Sequence, residues 1–183
     1  MKHIMCDLET LGTTADAVIL SIGAVKFDLE SGQISNEAFY ASISVDSNLE
    51  YKRRINEDTL LWWLKQPIAA QAVFHEKKMH LATALEDFSD WIGTDDHNMW
   101  SNGADFDLPM LAHAYTQLQM STPWKFWNSN CHRTYKKLPG AKAVKFEAVG
   151  VKHNALSDAH NQAVQLCAIH KALFKPASKV KSK

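Results

Sequence analysis

Hydrophobic positions along the chain change period several times, and those changes predict the elements. Residues 3–9 read as a short apolar strand, and residues 17–28 (AVILSIGAVKFD) as a second, rich in β-branched side chains. Glu30, Ser31 and Gly32 supply a turn, after which 39–45 alternates as a third strand, so the opening predicts an antiparallel meander. From Asn56 the period becomes helical: Leu60, Leu61, Trp63 and Leu64 fall on one side, and Gln66-Pro67 ends the run. Residues 80–92 place Leu81, Leu85, Phe88, Trp91 and Ile92 at helical spacing, closed by Gly93. Met99-Trp100 is a short strand, Asn102-Gly103 a turn, 108–118 a helix, and 154–174 a long final helix. Three antiparallel strands followed by alternating helix and strand predict an α/β domain with a mixed sheet. No repeat or linker divides it, so 1–174 is expected to be a single domain, followed by a polar, basic and disordered tail at 175–183.

Composition narrows the function classes only a little. With 183 residues, 46% of them hydrophobic, the chain is long enough to bury a sizeable core. Lys+Arg and Asp+Glu balance at 20 each, so a polyanionic partner would have to be met by local basic patches. No apolar stretch approaches the ~20 residues of a membrane span, and the start lacks the layout of a signal peptide, so no membrane partner is expected. The cysteines, Cys6, Cys131 and Cys167, are odd in number and far apart. They suggest reduced thiols and a cytoplasmic location, with Cys6 a small core residue.

Three short segments carry the candidate chemistry. Asp7 and Glu9 are two apart on the first strand, so both carboxylates project to one face while Cys6 and Leu8 point to the other. Two such acids among apolar neighbours cost several kcal/mol unless something positive, such as a metal ion, neutralises them. In WSNGADFDLPML a strand runs into Asn-Gly, and an acid then stands at a helix start with Pro109 in the first turn. Asp105 and Asp107 compete for this position, and Asp107, immediately before the helix, has the better fixed backbone. In HNALSDA, Asp158 falls in the first turns of the last helix and His153 on a mobile approach loop, where an imidazole can deprotonate a water near neutrality. Read alone, each segment has a plainer meaning: acids reaching solvent, an N-cap aspartate, and one of nine histidines beside an ordinary helical acid.

Taken together and in order, the segments resemble the DnaQ-like 3′–5′ exonuclease superfamily, in the branch whose four acids are completed by a histidine. The matching motifs are Asp7-Leu8-Glu9-Thr10, Asn102 through Phe106-Asp107, and His153-Asn154-Ala155-Leu156-Ser157-Asp158-Ala159. Trp62-Trp63 with Gln66, Phe106 through Leu111, and Pro123-Trp124 through Phe126-Trp127 to Arg133-Thr134 are similar to the subgroup of phage exonuclease A and mycobacterial exoribonuclease. The resemblance implies a ribonuclease H-like fold, a mixed sheet flanked by helices. It implies two divalent cations, Mg²⁺ or Mn²⁺, and stepwise release of nucleoside monophosphates from the 3′ end of single-stranded RNA or DNA, RNA slightly ahead. Carried over, Asp7, Glu9, Asp107 and Asp158 are the metal-binding acids and His153 the general base. The 102–106 segment is one residue longer than the commoner family form, which leaves the shape of that loop open.

Substrate handling is less legible. Thr10 and Leu11 resemble the family segment that packs on the terminal nucleotide, with Asn102 and Phe106 as further substrate contacts. Trp100, Trp124 or Trp127 are candidates to stack on bases, whereas Trp62, Trp63 and Trp91 are expected in the core. Lys52, Arg53 and Arg54, and the group Lys136, Lys137, Lys142, Lys145 and Lys152, are candidate phosphate contacts. His132, His160 and His170 form no zinc spacing with the cysteines. The segment 123–127 is a candidate homodimer surface. Two other functions remain: a non-catalytic nucleic-acid binding module with the same fold, and a phosphohydrolase of small metabolites.

Overall fold

The structure is a computed structural model that describes residues 1–174, so the expected tail at 175–183 lies outside the described residues. Five strands form one mixed sheet in the order β3-β2-β1-β4-β5. β1 (His3–Thr10), β2 (Ile19–Phe27) and β3 (Ile34–Ser42) make the expected antiparallel meander. β4 (Asn98–Ser101) then adds parallel to β1, and β5 (Ser129–Cys131) parallel to β4. The helices are α1 (Val45–Glu50), α2 (Glu57–Trp63), α3 (Ile68–Gln71), α4 (Leu81–Ile92), α5 (Asp107–Gln117), α6 (His132–Tyr135) and α7 (Ala155–Phe174).

The alternation of β1 divides the core. Ile4, Cys6 and Leu8 join the cluster under α4 and α5, which includes Leu85, Phe88, Leu111 and Tyr115. Met5 faces α7, in a second cluster with Val25, Phe27, Ala159, Ala163 and Leu166. Asp7 and Glu9, two and four residues beyond Met5, share its face and so look toward α7. A third cluster of Leu11, Val18, Leu20, Trp63, Ala70 and Val73 lies under α2 and α3, where Trp63 Nε1 donates to the Thr10 carbonyl at 2.8 Å.

Three sequence expectations need correction. The third strand starts at Ile34 and ends at Ser42. Its first half is an exposed sheet edge with no apolar alternation, and it stops because the Ser44 side chain caps α1 by accepting from Ser47 N. On α2 only Trp63 is buried; Leu60, Leu61 and Leu64 face solvent. Neither β5 nor α6 was legible, both being too short to show a period.

Gly23 fixes the height of α7 above the sheet. It pairs with Asp7 across β2 and β1, and a Cβ built on it would lie 2.2 Å from both the Ala155 carbonyl carbon and the Leu156 nitrogen. The first turn of α7 therefore rests on bare backbone beside Asp7. Gly23→Ala forces two backbones apart, and we expect a loss of about 3 kcal/mol, the upper range for overpacking, in equilibrium urea unfolding. A variant as stable as the parent would contradict this placement of α7.

Candidate functional site

Four elements bring their polar side chains to one cavity of about 430 Å³, at the carboxyl ends of the parallel strands β1 and β4. Asp7 and Glu9 come from β1, Asp107 from the first residue of α5, Asp158 from the first turn of α7, and His153 from the loop before it. Asp107, not Asp105, reaches the cavity. Nor does Asp107 cap its own helix: its Oδ1 accepts from Leu8 N at 3.1 Å, fastening α5 to β1. The longer 102–106 segment closes as a turn in which Ser101 Oγ donates to the Gly103 carbonyl.

The segment around His153 is built with care. Asn154 accepts from Ser157 N at 3.0 Å, which starts α7. His153, immediately before, adopts a left-handed backbone with φ 63°, and its N–H donates to Asp158 Oδ2 at 2.9 Å. Upstream, Asn161 holds Val149 by two hydrogen bonds, of 3.0 and 2.8 Å. The approach loop expected to be mobile is thus anchored to α7 on both sides. The imidazole packs edge-on against Trp62, ring centroids 4.9 Å apart, and stands 6.2 Å from the ring of Trp63. Trp62 is therefore not a core residue; it is 41% exposed and forms a wall beside His153.

Crowding and burial set the electrostatics. Burial first, and then the charges of Asp107 and Glu9, push the Asp7 carboxyl well above the usual carboxylate range, against a hydrogen bond from Gln162. Burial, with Asp158 and Asp107 beside it, pushes Glu9 up to about 8. Burial raises Asp107 to about 6, although the Leu8 N–H and the Arg133 charge favour its ionised form. Asp158 is raised as well, by burial. Burial and the Lys152 charge lower the His153 imidazole, which keeps it neutral at neutral pH. None of the four acids takes part in an ion pair among the described residues. One oxygen each from Glu9 and Asp158 and a ring nitrogen of His153 lie within 4.8 Å of one another, a cluster able to hold a metal ion. Four carboxyl groups offering hard oxygens, with no ion-pair partner among the described residues, fit Mg²⁺ or Mn²⁺.

A second cavity of about 530 Å³ adjoins the first and shares Leu8, Glu9 and Phe106 with it. Thr10 and Trp62 line it; Leu11, 3% exposed within the third core cluster, reaches neither cavity. Asn102 lines the first cavity with its Oδ1 buried and unpartnered among the described residues. Several other expected substrate contacts are placed elsewhere. Trp100 and Trp124 are buried, the former with its Nε1 donating to His3 Nδ1. Arg53 is buried too, its guanidinium donating to the carbonyls of Ala17 and Ala15 and to Gln117 Oε1. Of the basic groups read from sequence, Lys152 lines the cavity, joined by Arg133 from α6. Tyr135 and His170, bonded at 2.7 Å, tie α6 to α7. Gln162 is a site residue that the sequence reading missed, although its position four residues after Asp158 puts it on the same helical face. No helix among the described residues is long and apolar enough to cross a membrane.

The five-stranded mixed sheet flanked by helices is a fold shared with nucleases. The family model described as the 3′-5′ exoribonuclease Rv2179c-like domain matches residues 2–170, and the chain belongs to that family of 3′–5′ exonucleases. A comparison with curated proteins returns no match. Among solved structures the chain is similar to cell-death related nuclease 4 (CRN-4), at TM-score 0.59 and 12% identity, over 90% of this chain and 62% of that one. It is also similar to a full-length 3′-exonuclease, at TM-score 0.51 and 11% identity, over 93% of this chain and 81% of that one. The chain therefore spans less than two thirds of the length of CRN-4, and at these identities both likenesses show the shared fold.

The raised carboxyls make stability depend on pH with a definite sign. A folded-state pKa above the unfolded value means the folded chain holds the proton more tightly. Its contribution is present below the unfolded value and is lost as pH rises through the folded one, here between about 4.5 and 8 for Glu9. Thermal midpoints in a chelating buffer should fall from pH 5 to pH 8, and Glu9→Gln should flatten that fall. A midpoint that rises over the same range would contradict the geometry.

Proposed function

We propose that residues 1–174 form a cytoplasmic, metal-dependent 3′–5′ exonuclease domain acting on single-stranded 3′ ends, RNA ahead of DNA, and releasing nucleoside monophosphates. The observation that carries the reading is the convergence of Asp7, Glu9, Asp107, Asp158 and His153 on one cavity, with the acids crowded into mutual repulsion. The family described as an exoribonuclease supports the choice of RNA.

In this reading the four carboxylates hold two divalent cations, Mg²⁺ or Mn²⁺. When bound, the two ions activate the attacking water and neutralise charge on the leaving 3′ oxygen. His153, neutral because burial lowers its pKa, takes the proton from that water, a contribution of typically about 10²–10⁴-fold. Its ring is held for this by Trp62 and Trp63, and its N–H fixes Asp158. Arg133 and Lys152, which line the cavity beside the acids, contact the phosphates of the incoming strand. The adjoining cavity has the volume of a small-ligand site and takes the terminal nucleotide, with Trp62 as a stacking surface and Thr10 and Phe106 as walls. Asn102 Oδ1 is an acceptor for a hydroxyl or amino donor of that nucleotide, and Leu11 supports Thr10 from beneath. The reading includes pairing of two copies through the exposed Phe126 and Trp127. The three free cysteines accord with a reducing compartment.

A time course on 5′-labelled RNA and matched DNA, with Mg²⁺ or a chelator, tests it. We expect a metal-dependent ladder shortening from the 3′ end, abolished by Asp7→Ala and reduced about 10²–10⁴-fold by His153→Ala with Mn²⁺ binding retained. Intact substrate under every metal condition would instead identify a binding module. Preferential hydrolysis of mononucleotides or simple diesters would identify a metabolite phosphohydrolase.

A further inference from the structure

Gln162 lies one helical turn beyond Asp158 on α7, and the two side chains line the same cavity. Its Nε2 donates to Asp7 Oδ1 at 2.7 Å, joining α7 to β1. Its Oε1 is shut off from solvent and meets no donor among the described residues. With a cation at the site the Asp7 carboxylate is ionised and only accepts, so the two ends of this amide are not interchangeable. The nitrogen must then face Asp7, and the oxygen is turned away from it. A buried acceptor without a donor is unfavourable, and an apolar side chain of similar length would fill the space without that penalty. A glutamine here is therefore explained by a donor that arrives with a bound species. The phosphates of a strand bring no such donor at neutral pH. In the proposed reading the sugar and base of the terminal nucleotide lie in the adjoining cavity, which Gln162 does not line, whereas a hydrated cation beside Asp7 brings several donors.

We propose that Gln162 is a positioning residue for the cation site, an inference that rests on the metal-dependent reading above. Its amide nitrogen occupies Asp7 Oδ1 and turns the carboxylate so that Oδ2 is left for the cation. Its amide oxygen accepts from a water ordered by that cation. One side chain thus orients a ligand and satisfies the hydration shell, and it does so from the same helix face as Asp158. A plainer role, a mechanical tie between α7 and β1, gives a different pattern when the side chain is changed.

The test is calorimetric titration of Mn²⁺ into the full chain, for the wild type, Gln162→Met and Gln162→Asn, beside thermal midpoints in a chelating buffer. Methionine keeps the length and loses both hydrogen bonds; asparagine keeps the amide but withdraws it by one methylene. Both variants should bind Mn²⁺ about 10–100-fold more weakly, the range seen when residues that orient metal ligands are removed. Their midpoints without metal should stay near that of the wild type. Should the methionine variant fail to fold, the asparagine variant carries the same expectation. Unchanged Mn²⁺ affinity in a folded variant, with or without a lower midpoint, overturns the proposal and leaves a mechanical tie. A wild type that binds no Mn²⁺ and cleaves nothing overturns the metal-dependent reading and this inference together. A wild type that binds and cleaves beside an equally avid variant overturns this inference alone.

Discussion

At Gly23 the sheet presents no side chain, and there the first turn of α7 comes down onto β2 at a separation that leaves no room for a Cβ. Because Gly23 is the cross-strand partner of Asp7, this contact sets how near the acids of β1 come to those of α7. Asp158 and Gln162 reach Asp7 and Glu9 across the gap, and the capped start of α7 then fixes where His153 stands. On the opposite side of the sheet α5 packs against β1 through the first core cluster, and the hydrogen bond from Leu8 N to Asp107 Oδ1 brings its start to the same point. Backbone against backbone is a stiff contact, since neither partner has a rotamer to change.

This geometry has an electrostatic consequence. The carboxylates are gathered by packing on both faces of the sheet and disfavour one another's ionised forms. The hydrogen bonds from Leu8 N, His153 N and Gln162 Nε2 offset part of that repulsion with neutral donors, and no basic side chain forms an ion pair with the acids among the described residues. A site so arranged disfavours ionised carboxyls while it is empty, and in the proposed reading divalent cations would offset that cost, the fold outside the site holding the acids in place. The basic groups at the cavity, Arg133 and Lys152, line it beside the acids without pairing to them, which suits them to a strand of phosphates.

The sequence was most legible where one physical rule acted alone. Alternation in β1 separated Asp7 and Glu9 from Cys6 and Leu8, and the final helix began where Asn154 caps it. It was least legible where tertiary contacts overrode local pattern. Trp62 and Trp63 are adjacent and equally apolar, yet one is buried against Thr10 and the other forms a wall beside His153, a difference set by how α2 lies over the third core cluster. Arg53 read as a surface cation because a folded partner for its guanidinium, the 15–17 backbone and Gln117, is invisible in a linear sequence. Asp107 read equally well as a helix cap until Leu8 N was seen to engage it. Gln162 carries no charge and belongs to no quoted motif, so beyond its spacing from Asp158 its bond to Asp7 and its unpartnered oxygen reveal it.

The most direct test of the account is anomalous diffraction from crystals of the intact chain grown with Mn²⁺. The account requires two manganese peaks inside the cavity bounded by β1, the start of α5 and the first turns of α7, each touching carboxylate oxygens of Asp7, Glu9, Asp107 or Asp158. A cavity without manganese, or peaks bound only at other surfaces, would contradict the claim that these acids are assembled to hold cations.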